Sequence, residues 1–135
     1  MMTYVVAYGA AALVFCLLDY LWLAIIAKDF YKSQFGTLMA AEPNWGAAAA
    51  FYILYLVGLI FFAVSPAVRE QNWLLALGLS AFLGLLAYAS YDLTNLATLK
   101  GWTLTLTLVD ITWGVVVSSA AGTAAYFAAR AMERV

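Results

Sequence analysis

The stretch Trp73–Tyr91, WLLALGLSAFLGLLAYASY, contains no charged side chain and no proline. A helix needs about 20 predominantly apolar residues to cross the hydrocarbon core of a bilayer. Inside that core every backbone polar group must find a partner, and an α-helix provides these partners within one segment. The stretch therefore predicts a membrane-spanning helix.

Three further apolar segments flank this stretch, and the four spans are predicted at about residues 3–27, 45–64, 73–93 and 103–129. Trp45, Trp73 and Trp102 stand at span entrances, where amphipathic rings prefer the headgroup level. Glu42-Pro43-Asn44 and Ser65-Pro66 bound the second span, because proline disfavours helix in the residue before it. The sequence thus predicts an all-α, polytopic four-helix bundle that forms a single membrane domain over residues 1–135.

The amino-acid composition also indicates an integral membrane protein. Of the 135 residues, 67% are hydrophobic and 10% are charged, and the mean hydropathy is +0.97. Soluble domains have about 45–50% apolar and about 25% charged residues. A net charge of -1 offers no basic surface, so we expect no nucleic-acid partner. Without histidine, and with Cys16 as the one cysteine, haem, structural zinc and iron–sulfur clusters lack ligands, and we expect no cofactor and no metal site of that kind.

Cationic residues are divided equally between the two membrane faces. Those on the face of the termini are Arg69, Arg130 and Arg134, and those on the other face are Lys28, Lys32 and Lys100. The α-amine adds one charge to the first face. The positive-inside rule therefore favours both termini in the cytoplasm, and a dual topology remains open.

The longest connection runs from Lys28 to Asn44 and carries large apolar residues at roughly helical spacing, namely Phe30, Tyr31, Phe35, Leu38 and Met39. This pattern fits an interfacial helix that lies over the bundle. A plain polar connection with aromatic anchors is the alternative.

Three aspartates, Asp19, Asp92 and Asp110, lie inside the predicted spans. At about 1.5 Å per helical residue, each lies about 12 Å below the same membrane face. A charged carboxylate in hydrocarbon costs about 2.5–3.5 kcal/mol, and no lysine or arginine lies within a span to offset that cost. We expect one polar layer in which the acids are hydrogen-bonded, hydrated, bound to a cation such as Na⁺ or protonated, with at least one acid neutral near neutral pH.

A structural role is the alternative for each acid. Asp19 and Asp110 would tie helices together, and Asp92 would cap or break its helix at the membrane edge. The motif Asp-x-x-Trp occurs twice, as Asp19-Tyr-Leu-Trp22 and Asp110-Ile-Thr-Trp113. It places an indole one turn from each acid, where its N–H would donate a hydrogen bond to that acid. Chance recurrence and internal duplication are the two alternative explanations of the repeat.

Helical spacing predicts a polar pocket in one leaflet, to which every span contributes. The predicted lining residues are Asp19, Trp22, Tyr52, Tyr88, Tyr91, Asp92, Asn95, Thr107, Asp110 and Trp113. Asp92 and Asp110 are the candidate catalytic residues, because a general acid or base requires a carboxyl in a desolvated site. Gly114, Ser118 and Gly122 form a small-residue groove that is expected to pack helices closely, within the chain or between copies.

Three functions fit this pattern, and the sequence does not decide whether the protein is an enzyme. In the first, the pocket binds or processes a lipid-like, amphipathic molecule from the membrane. In the second, a homodimer couples proton binding at Asp19 or Asp110 to transport, by similarity to the small multidrug resistance transporters. In the third, the chain is an accessory subunit that docks onto a membrane complex through Gly114 and Ser118.

Four segments carry a resemblance to a known family: Leu18-Asp19-Tyr-Leu-Trp22-Leu23, Glu42-Pro43-Asn44-Trp45, the run from Tyr88 to Trp102, and Asp110-Ile-Thr-Trp113-Gly114. Over nearly its whole length the chain resembles a family of short bacterial membrane proteins, domain of unknown function twenty-one seventy-seven. The resemblance implies four helices and a location in the bacterial cytoplasmic (inner) membrane, and it assigns no activity. Thr103 stands where the family pattern often has a proline.

Overall fold

The computed structural model describes residues 1–135 and contains helices and turns but no strand. Its elements are α1 (Met2–Leu21) with a π-helical turn (Trp22–Ile26), α2 (Lys28–Phe35), α3 (Trp45–Leu59) with a π-helical turn (Ile60–Val64), α4 (Ser65–Arg69), α5 (Trp73–Thr98) and α6 (Leu104–Glu133). Four continuous helical segments are long and apolar enough to cross a membrane, with 25, 25, 26 and 30 residues. The predicted all-α fold with four membrane-spanning helices is confirmed.

The last three spans extend beyond their predicted ends at residues 64, 93 and 129. The second span passes Ser65-Pro66 and continues to Arg69. Proline is tolerated there because it lies in the first turn of α4, directly after a π-helical turn that has already changed the hydrogen-bond register. Helix α5 continues past Asp92 to Thr98, so the interpretation of Asp92 as a helix breaker is wrong.

The last three spans begin at capping side chains. Asn44 accepts a hydrogen bond from the Ala47 N–H, and Asn72 accepts hydrogen bonds from two N–H groups at the start of α5. Thr103 caps α6 by accepting from the Leu106 N–H. Each cap satisfies a donor that the helix itself leaves free, which fixes where the helix begins.

Helix α6 is the central helix and packs along both α5 and α1. Glycines allow the close approach of α5 and α6. A Cβ atom at Gly84 would meet the backbone oxygen of Gly114, one at Gly114 would meet the Tyr88 ring, and one at Gly122 would meet Ser80. The small-residue groove therefore lies against α5 of the same chain, in agreement with the general role of small residues between membrane helices.

The second span contacts the bundle mainly through its second half. The turn Ile60–Val64 packs on α5 and α6 and buries Ala63 and Val64. In α3, by contrast, the buried residues are confined to Tyr55, Leu56 and Leu59 near its end. The first half of α3 consequently stands apart from the other helices, on the side of the membrane where α2 lies.

Helix α2 confirms that the first connection contains a helix. It buries Tyr31, which stacks on Phe35 with ring centroids 6.1 Å apart. A small apolar cluster with Trp102 and Leu106 holds α2 against the start of α6. A hydrogen bond between Thr103 and Gln34 adds a polar contact. The helix therefore lies over one end of the bundle.

Candidate functional site

Asp19 is a buried acid whose two carboxyl oxygens are both satisfied. It is 6% exposed, and its Oδ1 accepts a hydrogen bond from Trp113 Nε1 at 3.0 Å. Its Oδ2 accepts a hydrogen bond from the Tyr52 hydroxyl. These contacts join α1, α3 and α6 in one place, so Asp19 connects three of the four spans.

Asp110 is linked to α2 through a tyrosine. The Tyr31 hydroxyl donates to Asp110 Oδ1 at 2.7 Å and accepts from Trp22 Nε1 at 3.0 Å. Burial raises the pKa of the Tyr31 phenol; the Trp22 hydrogen bond opposes this effect, and the Asp110 carboxyl adds to it. The phenol therefore stays protonated around neutral pH and acts as a hydrogen-bond donor to Asp110.

The two Asp-x-x-Trp motifs exchange partners. Trp113 donates to Asp19 of the other motif, and Trp22 reaches Asp110 through Tyr31. The Trp22 and Trp113 rings stack between these bonds, with centroids 4.6 Å apart and planes 8° from parallel. The expected hydrogen bond within each motif is therefore wrong. Because the first and fourth spans run antiparallel, a residue one turn beyond its own acid is level with the acid of the other helix.

Asp92 is fully buried on α5, and no donor is within hydrogen-bond distance of either carboxyl oxygen. The group that faces it is the carboxyl of Asp110 on α6. Two carboxyl groups can hydrogen-bond to each other only when one of them carries a proton. A direct hydrogen bond within this buried pair therefore depends on one bound proton.

Asp110 and Tyr91 lie at the junction of two cavities. The inner cavity has a volume of about 350 Å³ and is lined by Phe51, Ala87, Tyr88, Tyr91 and Asp110. The α2 cavity has a volume of about 640 Å³ and is lined by Leu23, Lys28, Tyr31, Lys32, Phe35, Met39, Ala40, Ala41, Pro43, Tyr91 and Asp110. The two spaces therefore share one carboxyl group, and the α2 cavity is the more polar of the two.

A third cavity lies beside Asp19. It has a volume of about 480 Å³, and Asp19, Tyr52, Cys16 and Trp45 are among its lining residues. It shares Leu23 and Pro43 with the α2 cavity. Residues of the first half of α3 line two of the three cavities, the inner cavity and the cavity beside Asp19.

The structure distributes the ten predicted pocket residues among different positions. Tyr88, Tyr91 and Asp110 line the inner cavity, and Asp19 and Tyr52 line the cavity beside α1. Trp22 and Trp113 stack in between and face a groove on the outer surface. Asp92, Asn95 and Thr107 line none of these spaces.

Thr107 is engaged in local structure. Its hydroxyl donates to the Thr103 carbonyl at 2.9 Å and accepts from Trp102 Nε1 at 3.0 Å. These bonds hold the entrance tryptophan against α6. The hydroxyl of Thr107 is therefore directed toward the start of its own helix.

Sequence reasoning did not identify Tyr31 as a hydrogen-bond partner of Asp110, nor Phe51 and the two lysines of α2 as lining residues of the cavities that Asp110 lines. The signal for Tyr31 was its place in the helical aromatic pattern of the first connection. No comparable signal marked Phe51, since which face of α3 meets the cavity depends on how that helix leans. No group of three or more metal-ligating side chains comes together in the structure.

These features define a small polytopic helical membrane protein that buries carboxyl groups in one half of its bundle. The chain belongs to a family described as predicted membrane protein, DUF2177, whose sequence profile matches residues 4–127. This confirms the family resemblance carried by the aspartate motifs. No curated protein and no solved structure matches the chain.

Proposed function

We propose that this protein binds or processes an amphipathic, lipid-like molecule in the cavities around Asp110. The observation that carries the proposal is the position of Asp110 and Tyr91 at the junction of the inner cavity and the α2 cavity. An amphipathic molecule fits this pair of cavities, because its apolar chain would occupy the inner cavity and its headgroup would occupy the α2 cavity. Small-molecule sites are commonly apolar clefts with a few convergent polar groups.

The volumes agree with this class of ligand. Cavities of about 300–1,000 Å³ hold typical small molecules, and the inner and α2 cavities each fall in that range. The first half of α3 packs loosely, which gives a ligand a lateral path from the membrane. Tyr88 and Phe51 supply aromatic walls for an apolar chain.

If the molecule is processed, Asp110 is the group in position to act as general acid or base. Its carboxyl lines both cavities, whereas Asp92 is fully buried behind it. Asp92 then serves as a positioning residue whose carboxyl faces that of Asp110. General acid catalysis would require Asp110 to carry a proton at the working pH.

The same proposal includes a location. We place the protein in the bacterial cytoplasmic membrane with both termini in the cytoplasm. Four spans put both termini on one side. The cavities then open near the opposite leaflet, on the side of Lys28 and Lys100.

The test is native mass spectrometry of protein released from its own membranes in a mild detergent. We expect wild type to carry a discrete additional mass, and Ala87→Trp to lose it because the indole fills the inner cavity. Ala97→Trp is the matched control, since Ala97 is an exposed residue of the same helix and is not among the inner-cavity residues. Asp110→Asn tests the polar side of the same site and is expected to reduce occupancy.

Protein that is free of ligand in all four samples would contradict the proposal. Equal occupancy of wild type and Ala87→Trp would place the bound molecule outside the inner cavity and would also contradict it. The identity of the additional mass would distinguish binding of a membrane lipid from binding of a modified product.

A second candidate function is a proton-coupled carrier, and the Asp92–Asp110 pair favours it. A fully buried acid that faces a cavity-lining acid is a suitable exchanging group for a proton. Proton flux in proteoliposomes that depends on an added solute and disappears in Asp110→Asn would favour the carrier. A bound lipid without flux would favour the lipid-binding function.

A further inference from the structure

The α2 cavity has two cationic side chains at its rim. Lys28 and Lys32 both line this cavity. They are four residues apart on α2, which places them on the same face of one helix, one turn apart. Tyr31 and Phe35 line the same space and form its apolar wall.

Neither lysine has a partner within the protein. The one ion pair of the structure joins Arg130 to Glu133, at the far end of α6. Asp29 lies next to Lys28 in sequence but forms no ion pair with either lysine. Asp110 lines the same cavity, where its Oδ1 accepts a hydrogen bond from the Tyr31 hydroxyl, and it forms no ion pair with either lysine. The two ammonium groups are therefore free to bind an anion.

Resting on the proposed function, we propose that the ligand is an amphiphile with a phosphate headgroup, bound by Lys28 and Lys32. A phosphate monoester carries a charge of about −1.5 to −2 at neutral pH, which two ammonium groups match. Lysine binds phosphate as a compact point charge with several donors. The headgroup occupies the α2 cavity, and the chain passes Tyr91 into the inner cavity.

The depths of the two cavities in the membrane support this arrangement of headgroup and chain. The lysines belong to the connecting helix at the membrane face, whereas the inner cavity lies between membrane-spanning helices. A phosphate at the rim therefore remains near the headgroup level, and an acyl chain extends into the apolar region. Asp110, between the two, is placed to accept a hydrogen bond from a hydroxyl near the headgroup.

The test measures the binding of three probes to the full chain in phosphatidylcholine nanodiscs. Oleoyl lysophosphatidic acid supplies phosphate and chain, monoolein supplies the chain with a neutral headgroup, and inorganic phosphate supplies the anion alone. We expect lysophosphatidic acid to bind at least about tenfold more tightly than either of the others, because charged hydrogen bonds and chain burial both contribute.

Substitutions of the two lysines test whether their side chains bind the phosphate headgroup. The double substitution Lys28→Gln and Lys32→Gln is expected to weaken lysophosphatidic acid binding at least about tenfold and to leave monoolein unchanged. Lys100→Gln is the matched control, because Lys100 is an exposed lysine on the same membrane side that is not among the α2-cavity residues. It is expected to leave all three affinities unchanged.

The outcomes separate this inference from the proposed function. If both oleoyl probes bind equally and the lysine variants change nothing, the phosphate assignment is wrong and amphiphile binding stands. If inorganic phosphate binds as tightly as lysophosphatidic acid, the site takes the free anion and the chain assignment is wrong. If no probe binds, both proposals are wrong.

Discussion

Trp113 on α6 donates a hydrogen bond to Asp19 on α1 across 94 positions of sequence, with Nε1 and Oδ1 3.0 Å apart. Trp22, one turn beyond Asp19, stacks on the same indole and reaches Asp110 through Tyr31. Two Asp-x-x-Trp motifs on antiparallel helices thereby bind each other. This reciprocal contact fixes the depth at which the first and fourth spans meet and positions the acids beside the cavities.

We expect Trp113→Phe to lower the free energy of unfolding by about 1–2 kcal/mol, because Asp19 loses one of its two donors while buried. Unfolding in mixed micelles with increasing SDS measures the change. Trp45→Phe is the control, since Trp45 is 71% exposed and is expected to change stability little. Equal effects of the two substitutions would show that the hydrogen bond to Asp19 does not stabilise the bundle.

Tyr31→Phe is expected to loosen α2 while keeping its aromatic packing. The substitution removes the hydroxyl that bonds both Asp110 and Trp22. Hydrogen exchange of the α2 amides should become about tenfold faster, with exchange in α6 unchanged. Tyr20→Phe, at a tyrosine that is 63% exposed, provides the control. Unchanged exchange in α2 would mean that ring packing alone holds this helix.

Gly84→Ala and Gly78→Ala are expected to act in opposite directions although both lie on α5. A Cβ at Gly84 would meet the Gly114 carbonyl, so we expect a loss of stability of about 1–3 kcal/mol. A Cβ at Gly78 meets nothing within 4 Å, so the better helix propensity of alanine should stabilise by about 0.5–1 kcal/mol. Unfolding in mixed micelles with increasing SDS compares the stabilities of the two variants with that of wild type. Stabilisation by Gly84→Ala would refute the close packing of α5 on α6.

A protonated carboxyl should be detectable at neutral pH in the Asp92–Asp110 pair. Infrared difference spectra of wild type against Asp92→Asn are expected to show the loss of a carboxylic acid band, because two facing carboxyl groups can hydrogen-bond only when one carries a proton. Asp29→Asn, an exposed acid of α2, should leave it intact. Spectra in which Asp92→Asn removes no such band would contradict a shared proton.

The candidate site was only partly predictable. Equal distances from one membrane face predicted that Asp92 and Asp110 share a depth, and the structure places their carboxyl groups against each other. Depth follows from helical rise, which is the same in every α-helix. Tyr31 and Phe51 were not predictable in this way, because their approach to Asp110 depends on how α2 folds back and how α3 leans.

By itself, the sequence determined the class of protein and the four spans. These features depend on a local property, namely the length of the apolar segments. Only the tertiary structure decided that Trp113 donates its hydrogen bond to Asp19 and that Asp110 lines two cavities. Such contacts depend on the rotation and tilt of each helix, which are set by packing against the others rather than by its own residues.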